Sequence, residues 1–226
     1  MPAPLRRNLD LIVLALLGVG LVLLPQLDVR ASAWFYEPQS GFYLKNALPV
    51  RFVYEAVPWV TRTVVVGLLL FLFTAWTFYR RRDFFMKQRR VALYLLLVMI
   101  VGPGLLVNSV FKDHWGRARP SQVTEFGGSK QFTRAAIPAD QCPKNCSFVS
   151  GHASVGFYFL ALAFVIPRRR ALWLAVGTGL GLGIGLVRIM QGGHFLSDVI
   201  FAGIVVYLTA RVLHALMLRT PAEAPT

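Results

Sequence analysis

The 226-residue sequence is poor in charge, in acidic residues and in cysteine. Charged residues make up 15% of it and hydrophobic residues 56%, whereas soluble domains are about a quarter charged. This balance excludes a disordered chain and argues against a water-soluble enzyme of this length. The two cysteines exclude a disulfide scaffold and a cysteine-built zinc finger. The chain also lacks internal repeats and low-complexity linkers.

Basic residues outnumber acidic ones by 24 to 10, which gives a net charge of +14. In a soluble protein such an excess would indicate nucleic acid as a partner. Here the charge lies in short clusters between apolar runs, a pattern typical of membrane topology signals. We therefore expect a lipid bilayer and no nucleic acid among the partners, and the pattern leaves the oligomeric state open.

Uncharged stretches long enough, or nearly long enough, to cross a bilayer as helices occur six times. A hydrocarbon core about 30 Å thick needs roughly 20 apolar residues of helix. The stretches are Leu11–Leu27, Thr63–Tyr79, Val91–Phe111, Ala153–Pro167, Ala171–Val187 and about Phe195–Leu216. We predict an all-α bundle of six transmembrane helices, with residues 1–226 forming a single domain.

Basic clusters in short loops predict the orientation of such a bundle. The clusters that fall on one side of the six-helix path are Arg6-Arg7, Arg80–Arg82 with Lys87, Arg89 and Arg90, Arg168–Arg170, and Arg219. Both termini are therefore expected in the cytoplasm and the long loops 28–60 and 112–150 outside it. The first of these loops is rich in aromatic residues, Tyr54 among them, and we expect it to lie along the membrane surface.

The first apolar stretch has a second interpretation. Arg6-Arg7, the stretch itself and Ala31-Ser32-Ala33 resemble a secretory signal with its small-residue cleavage site. Asp28 and Arg30 just before that site, together with its distance from Met1, favour an uncleaved anchor. Either interpretation leaves the later topology unchanged.

Three polar clusters lie at the predicted outer ends of helices three to six. Residues 112–120 follow the third helix, residues 147–152 lead into the fourth, and residues 188–198 join the fifth to the sixth. Three of the four histidines of the chain fall within them. Because polar residues are costly at a membrane, a cluster at one face is usually functional. We therefore expect an active site on the extracytoplasmic face.

These clusters together predict an anion site. Lys112, Arg119 and Arg188 supply positive charge, and the planar guanidinium pairs with two phosphate oxygens at once. Ser150 is a good N-cap, so the backbone N–H groups from Gly151 onward are expected to point out of a helix start. Helix starts of this kind bind phosphate well.

The histidines and one aspartate add acid–base and nucleophilic chemistry. His194 and Asp198 are four residues apart, so the carboxylate can fix the imidazole tautomer and support the cation formed when the ring attacks. His152, next to the predicted helix start, is suited to protonate a leaving oxygen. His114 and Arg117 lie near the site and are predicted to contact a lipid head group.

The three clusters resemble the signature of the type 2 phosphatidic acid phosphatase and vanadium haloperoxidase superfamily. That signature reads Lys-x6-Arg-Pro, then Pro-Ser-Gly-His, then Ser-Arg-x5-His-x3-Asp, and the spacing within each block matches. The matching residues are Lys112, Arg119-Pro120, Ser150-Gly151-His152, Arg188, His194 and Asp198. Val149 stands where the family usually has proline and Val187 where it usually has serine. The resemblance covers roughly residues 60–215.

The resemblance implies a membrane phosphatase that uses no metal and no other cofactor. It implies that His194 is the nucleophile and forms a phosphohistidine, that Asp198 orients it, and that His152 acts as general acid and then activates water. The residues implied to hold the phosphoryl oxygens are Lys112, Arg119, Arg188, Ser150 and Gly151.

The implied substrate is a lipid phosphomonoester or diphosphate at a bacterial inner membrane, with the site facing the periplasm. Lipid A phosphate, undecaprenyl diphosphate and phosphatidylglycerol phosphate are the expected classes, and residues 112–120 look closest to lipid A phosphatases. One alternative is a vanadate-dependent haloperoxidase, but those enzymes are soluble. The other is a non-catalytic lipid-binding or transport protein, in which loss of His194 or Asp198 would be expected.

Cys142 and Cys146 lie on the predicted outer side, where an oxidising periplasm permits a disulfide. Three residues between them make a tight ring that would stiffen the neighbouring motif. We predict a disulfide rather than free thiols, and no metal site, because two cysteines alone rarely hold zinc.

Overall fold

The computed structural model describes residues 8–79 and 82–218, which fold into a helical bundle. The helices are α1 (Leu9–Leu23), α2 (Gln26–Ala33), α3 (Leu48–Thr77), α4 (Asp83–Met99), α5 (Gly151–Phe157), α6 (Arg170–Met190) and α7 (Leu196–Met217). Arg6-Arg7, Arg80-Arg81 and Arg219, which contribute to the predicted orientation, lie outside the described residues.

Two of these helices continue beyond their first segment. After α4, π-helical turns at Ile100–Phe111 lead into Lys112–His114, and after α5 the chain stays helical through Tyr158–Ala161 and Leu162–Val165. Between α2 and α3, a hairpin pairs Tyr36 with Phe42 in antiparallel register. Its strands are β1 (Tyr36–Glu37) and β2 (Gly41–Phe42).

Within the described residues, four helical segments are long and apolar enough to cross a membrane: Leu48–Thr77, Asp83–His114, Pro167–Met190 and Leu196–Met217. A fifth crossing results if α1 and α2, which are bent by 80° against each other, form one span. The predicted span Ala153–Pro167 corresponds to the shorter apolar helix Gly151–Val165, which extends roughly 22 Å at 1.5 Å per residue. The predicted all-α membrane fold is confirmed, but by length and composition the described residues provide four or five crossings rather than the six predicted.

Glycines on α6 allow its neighbours to pack at very short range. A Cβ added at Gly181 would lie 2.4 Å from the ring of Phe157 on α5, and one added at Gly185 would lie 2.2 Å from Val199 on α7. A larger residue at either position would force the neighbouring side chain, Phe157 or Val199, to shift. The close packing brings the starts of α5 and α7 next to the end of α6, where the second and third sequence clusters lie.

The predicted outer loop 28–60 is mostly regular structure. α3 begins at Leu48 rather than near Thr63, so that Tyr54 is a helical residue and not part of a surface loop. The charges of this segment placed it outside the uncharged stretches that the prediction used. In fact Arg51 and Glu55 form an i,i+4 ion pair (3.2 Å) on the helix surface, a spacing that supports a helix.

The first apolar stretch is divided. α1 ends at Leu23, and α2 then turns by 80° across the end of the bundle. Asp28 and Ser32 on α2 are buried. This segment therefore contributes to the interior at the end of the bundle that contains the three polar clusters.

Candidate active site

The three sequence clusters meet at one end of the bundle. Lys112 lies at the end of the extended α4, Ser150 is the N-cap of α5, and His194 lies in the short connection between α6 and α7. Backbone hydrogen bonds join the clusters: the Ser150 N–H donates to the Asp198 carbonyl (3.0 Å) and the Cys146 N–H to the Lys112 carbonyl (2.9 Å). Residues far apart in sequence therefore share one polar site.

His194 is fully buried, and its two ring nitrogens have different surroundings. Nδ1–H donates to the Ser147 carbonyl (2.7 Å), and because a carbonyl only accepts, the proton resides on Nδ1. Nε2 therefore carries the lone pair, and it has no polar partner among the described residues. Burial, reinforced by the Arg188 and Lys112 cations and opposed by Asp198, lowers the pKa of His194 to about 3. The imidazole is thus neutral near pH 7, and Nε2 is available as a nucleophile.

Asp198, in the first turn of α7, has both carboxylate oxygens hydrogen-bonded. Oδ2 accepts from the Ser147 hydroxyl (2.5 Å) and the Phe195 N–H (2.8 Å), and Oδ1 accepts from Arg117 (2.5 Å). The distance from Oδ2 to His194 Nδ1 is 3.7 Å. The structure therefore gives the tautomer-fixing contact, expected from Asp198, to the Ser147 carbonyl, while Asp198 supports the imidazole electrostatically and through Ser147.

Lys112 and Arg119 converge on Asn145. Lys112 Nζ donates to Asn145 Oδ1 (3.3 Å), and Arg119 Nη2 donates to the Asn145 carbonyl (2.8 Å). Burial lowers the pKa of Arg119. A Cβ added at Gly151 would lie 3.3 Å from Lys112 Nζ and 2.6 Å from Asn108 Oδ1. The glycine therefore lets the start of α5 approach the lysine closely.

Tyr54 of α3 contacts both Arg188 and His152. Its ring stacks on the His152 imidazole, with centroids 4.6 Å apart and planes at 13°, and the Arg188 guanidinium carbon lies 4.7 Å from the ring centroid. Arg188 donates one hydrogen bond to Gln191. Arg188 Nε and His152 Nε2 are buried, with no polar partner within the described part of the chain. Both atoms are therefore available to a ligand.

The prediction that Arg117 contacts a lipid head group is wrong. The residue is completely buried, and its guanidinium pairs with Asp28 (2.8 Å) and Asp198 (2.5 Å). It also donates to the Ser197 hydroxyl (2.9 Å) and the Thr133 carbonyl (3.0 Å). Burial opposes the charged form, but the two carboxylates prevail and raise the pKa of Arg117. Its charge is satisfied inside the protein, where no head group reaches it.

A disulfide joins Cys142 and Cys146, whose Cα atoms are 5.7 Å apart. Asn145 lies inside this small ring, and its N–H donates to Asp113 Oδ1 (3.2 Å). The disulfide thus constrains the residue that both Lys112 and Arg119 contact.

The remaining predicted positions are His114 and Ser150. His114 is exposed at the end of α4, and its contact with a head group stays a prediction. The Ser150 hydroxyl accepts from the Ala153 N–H at 3.5 Å, which caps α5. In residues 8–79 and 82–218, no three His, Cys, Asp or Glu side chains are grouped as metal ligands would be.

Two cavities adjoin the cation cluster. A largely apolar one of about 660 Å³ lies between α3, α4 and α5, and Lys112, Gly151 and His152 form part of its wall. A polar one of about 320 Å³ shares Arg119 and Arg188 with the site. Its other charged and polar lining residues include Lys45, Asn46, Arg51, Tyr54 and Gln191. The phosphate-binding candidates therefore line both an apolar and a polar cavity.

Comparison with known proteins decides the family. The model of the PAP2 superfamily matches residues 90–221. The chain belongs to the PAP2 superfamily. The matched range includes all three polar clusters, whereas α1, α2 and α3 precede it. No solved structure matches this chain.

Curated proteins similar in sequence to this PAP2 superfamily chain are named lipid A phosphatases. It is 35% identical over 219 residues to the lipid A 4'-phosphatase of Francisella tularensis subsp. novicida, covering 93% of this chain and 95% of that protein. It is 37% identical over 172 residues to the lipid A 4'-phosphatase of Rhizobium leguminosarum, covering 75% and 70%. A lipid A 1-phosphatase of Rhizobium johnstonii is 36% identical over 121 residues, covering 50% and 46%.

The predicted family and enzyme class are therefore confirmed. This PAP2 superfamily protein is a multi-pass bacterial membrane protein and a lipid phosphatase. The family match and the relatives speak for phosphate hydrolysis and against the haloperoxidase and transport alternatives.

Four residues at the site were not predicted from the sequence. Ser147 lies within a polar cluster, but its spacing alone does not reveal that its carbonyl and hydroxyl contact His194 and Asp198. Asn145 is one residue from Cys146, and a disulfide ring was the available signal for its fixed position. Tyr54 and Asp28 precede the matched family region, and no motif marks them.

Proposed function

We propose that this PAP2 superfamily protein removes a phosphate monoester from a lipid A-type glycolipid through a phosphohistidine at His194. The observation that carries the proposal is the buried Nε2 of His194, which has no polar partner in the described part of the chain. Its Nδ1 is fixed by the Ser147 carbonyl, and Lys112 and Arg188 are close enough to act on its charge. A neutral imidazole of fixed tautomer beside cations is suited to attack phosphorus.

In the first proposed step, the Nε2 lone pair of His194 forms a bond to phosphorus while the bond from phosphorus to the lipid oxygen breaks. Burial and the nearby cations lower the pKa of His152 to about 4, so His152 takes up a proton only when the phosphate dianion of the substrate binds and offsets those cations. It then donates its Nε2 proton to the lipid oxygen, and the lipid leaves as an alcohol. The phosphorylated imidazole keeps its proton on Nδ1, still hydrogen-bonded to the Ser147 carbonyl, and the ring carries positive charge. The buried carboxylate of Asp198, 3.7 Å from Nδ1, stabilises that charge.

Three cations would hold the transferred group. Lys112, Arg119 and Arg188 stabilise the charge on the equatorial oxygens, and the N–H groups at the start of α5 add further donors. Arg188 Nε has no polar partner in residues 8–79 and 82–218, so a phosphoryl oxygen would satisfy it. This arrangement supplies by side chains the charge that divalent ions supply in many other phosphatases.

In the second proposed step, a water molecule replaces the lipid oxygen. His152, now neutral, takes a proton from the water as its oxygen bonds to phosphorus and the bond to His194 Nε2 breaks. Inorganic phosphate leaves, His194 returns to its neutral form, and His152 releases its proton once the dianion no longer offsets the cations.

The two cavities support an amphipathic substrate. The apolar cavity between α3, α4 and α5 fits acyl chains that enter from the bilayer, and the polar cavity fits the sugar head group. The relatives that match most of the chain are named for the 4'-position of lipid A, and we propose the same position here. The basic short loops favour a site that faces the periplasm.

The test is phosphate release by purified protein from three defined lipids: lipid A bisphosphate, undecaprenyl diphosphate and phosphatidylglycerol phosphate. We expect lipid A to lose its 4'-phosphate, as read by mass spectrometry of the product, and the rate to persist in excess EDTA. The His194→Ala protein is the matched inactive control. Faster hydrolysis of either other lipid would refute the substrate, and an absolute need for a divalent ion would refute the mechanism.

A further inference from the structure

A chain of buried ion pairs connects the N-terminal segment to Asp198. Arg117 Nη1 lies 2.5 Å from Asp198 Oδ1, and Arg117 Nη2 lies 2.8 Å from Asp28 Oδ2. Ser197, next to Asp198, donates its N–H to Asp28 Oδ1 (2.7 Å) and its hydroxyl to Asp28 Oδ2 (2.6 Å). All four residues are at most 1% exposed. This network of ion pairs and hydrogen bonds therefore joins α2, the loop after α4, and the first turn of α7.

This network is closed to solvent. The Arg117 guanidinium carbon lies 4.4 Å from the centroid of the Phe195 ring and 5.5 Å from that of Phe132. Burial of two carboxylates and a guanidinium is costly unless every charge is paired, and each of these charges is paired. Apolar side chains would attach α2 to the bundle without this desolvation cost. Attachment of α2 therefore does not by itself explain why these charges are buried here.

The hydrogen bonds of Asp198 indicate a role for these charges. Arg117 holds Oδ1, and the Ser147 hydroxyl and Phe195 N–H hold Oδ2. With both oxygens fixed, the carboxylate has one orientation, which keeps the Ser147 carbonyl in place to accept the hydrogen bond from His194 Nδ1–H. Without Arg117, Oδ1 would lose this donor, the carboxylate would be held through Oδ2 alone, and the support of the imidazole tautomer would weaken.

We propose that Asp28 and Arg117 are positioning residues for phosphoryl transfer, which act on His194 through Asp198 and Ser147. The proposal rests on the proposed function, because it takes His194 as the nucleophile. Asp28 lies on α2, ahead of the residues 90–221 that match the family. The N-terminal segment is then part of the catalytic apparatus, and it has to be retained in the working protein, since cleavage after Ala33 would remove Asp28.

The chain provides a control ion pair that also joins the N-terminal segment to α7. Asp10 on α1 pairs with Arg211, and Tyr207 donates a hydrogen bond to the same carboxylate. This pair contacts none of the proposed catalytic residues. Asp10→Asn therefore removes a charge of the same kind between the same two parts of the protein, away from the site.

The experiment compares Asp28→Asn, Arg117→Gln and Arg117→Lys with Asp10→Asn in the full-length protein. For each variant we measure the single-turnover rate of phosphoryl transfer from lipid A, the inhibition constant of vanadate, and the melting temperature. Asp28→Asn and Arg117→Gln should slow transfer by about 10–100-fold, the loss seen when the hydrogen-bond partner behind a metal-ligating histidine is removed. Vanadate inhibition should stay unchanged, because Lys112, Arg119 and Arg188 are intact.

Partial recovery by Arg117→Lys and a wild-type rate for Asp10→Asn complete the expected pattern. Transfer by Asp28→Asn at the wild-type rate, or equal weakening of vanadate inhibition and transfer, would overturn the positioning role. If Arg117→Gln does not fold, the Asp28→Asn variant tests the proposal alone. It keeps the size of the side chain and leaves the ion pair between Arg117 and Asp198 intact. An inactive wild-type protein would refute the proposed function and this inference together, whereas active variants would refute the inference alone.

Discussion

Replacement of His152 by alanine should slow hydrolysis of a lipid phosphomonoester far more than hydrolysis of an aryl phosphate. A lipid alcohol leaves as a strongly basic alkoxide that needs a proton as the bond to phosphorus breaks, whereas a nitrophenolate leaves without one. General acid catalysis is worth about 10²–10⁴-fold, or ~2.7–5.4 kcal/mol of activation free energy. The cations that hold phosphate stay in place in this variant. His194→Ala removes the attacking atom, so that both substrates should fail equally.

Replacement of Tyr54 tests the same role of His152 with a smaller expected loss of rate. Its ring stacks on the His152 imidazole at 4.6 Å, and such a pair is worth about 0.5–1.5 kcal/mol beyond the burial of its surface. If the stacking holds the imidazole in place for proton transfer, Tyr54→Leu should slow the lipid reaction by roughly 2–13-fold. Because Tyr54 also contacts Arg188, a loss common to both substrates would report on phosphate binding instead.

The assay is single-turnover release of the alcohol or the phenol from the two substrates. Steady-state rates are unsuitable, because they include the second role of His152 in activating water. Equal losses on both substrates for His152→Ala would refute the reasoning and would mean that His152 binds phosphate rather than donating a proton. Turnover by His194→Ala would show that another residue is the nucleophile.

Three further predictions concern topology, inhibition and the disulfide. Cysteines introduced by Ser129→Cys and Arg169→Cys should react from opposite sides of the membrane, and labelling of Arg169→Cys from outside intact cells would contradict the topology. Vanadate should inhibit competitively with the lipid, because it would occupy the phosphoryl site; an inhibition that substrate does not relieve would contradict this. Replacement of both Cys142 and Cys146 by serine should raise KM several-fold more than it lowers kcat, because Asn145 would be released from its two cations. An unchanged KM would contradict that reason.

The phosphate-binding cluster could be predicted from the sequence because its parts are local patterns. Ser150 before an apolar run predicts a helix start, and the structure caps α5 at that residue. The four-residue spacing of His194 and Asp198 predicts that they are near each other, and their side chains are 3.7 Å apart. Each pattern depends only on residues a few positions apart, so that no knowledge of the tertiary fold is needed.

The supporting contacts could not be predicted because they join distant parts of the chain. Asp28 and Arg117 are 89 positions apart, and a lone arginine beside a phosphate motif has the same appearance whether it faces a lipid or a buried carboxylate. Tyr54 was not predicted as a residue of the site for a different reason. Its segment carries charges, so it was excluded from the uncharged stretches, although Arg51 and Glu55 stand at a spacing that supports a helix.

The central claim, that His194 forms a covalent bond to phosphorus, is tested most directly by identifying the phosphorylated residue. Wild-type protein and the His152→Ala variant are mixed with a phosphate-labelled aryl substrate, quenched rapidly in base and mapped by mass spectrometry. We expect a base-stable, acid-labile phosphate on His194, present briefly in the wild type and accumulating in His152→Ala, in which the water step is slowed. Phosphate on any other residue, or product release by His152→Ala with no phosphorylated protein at any time, would contradict the account.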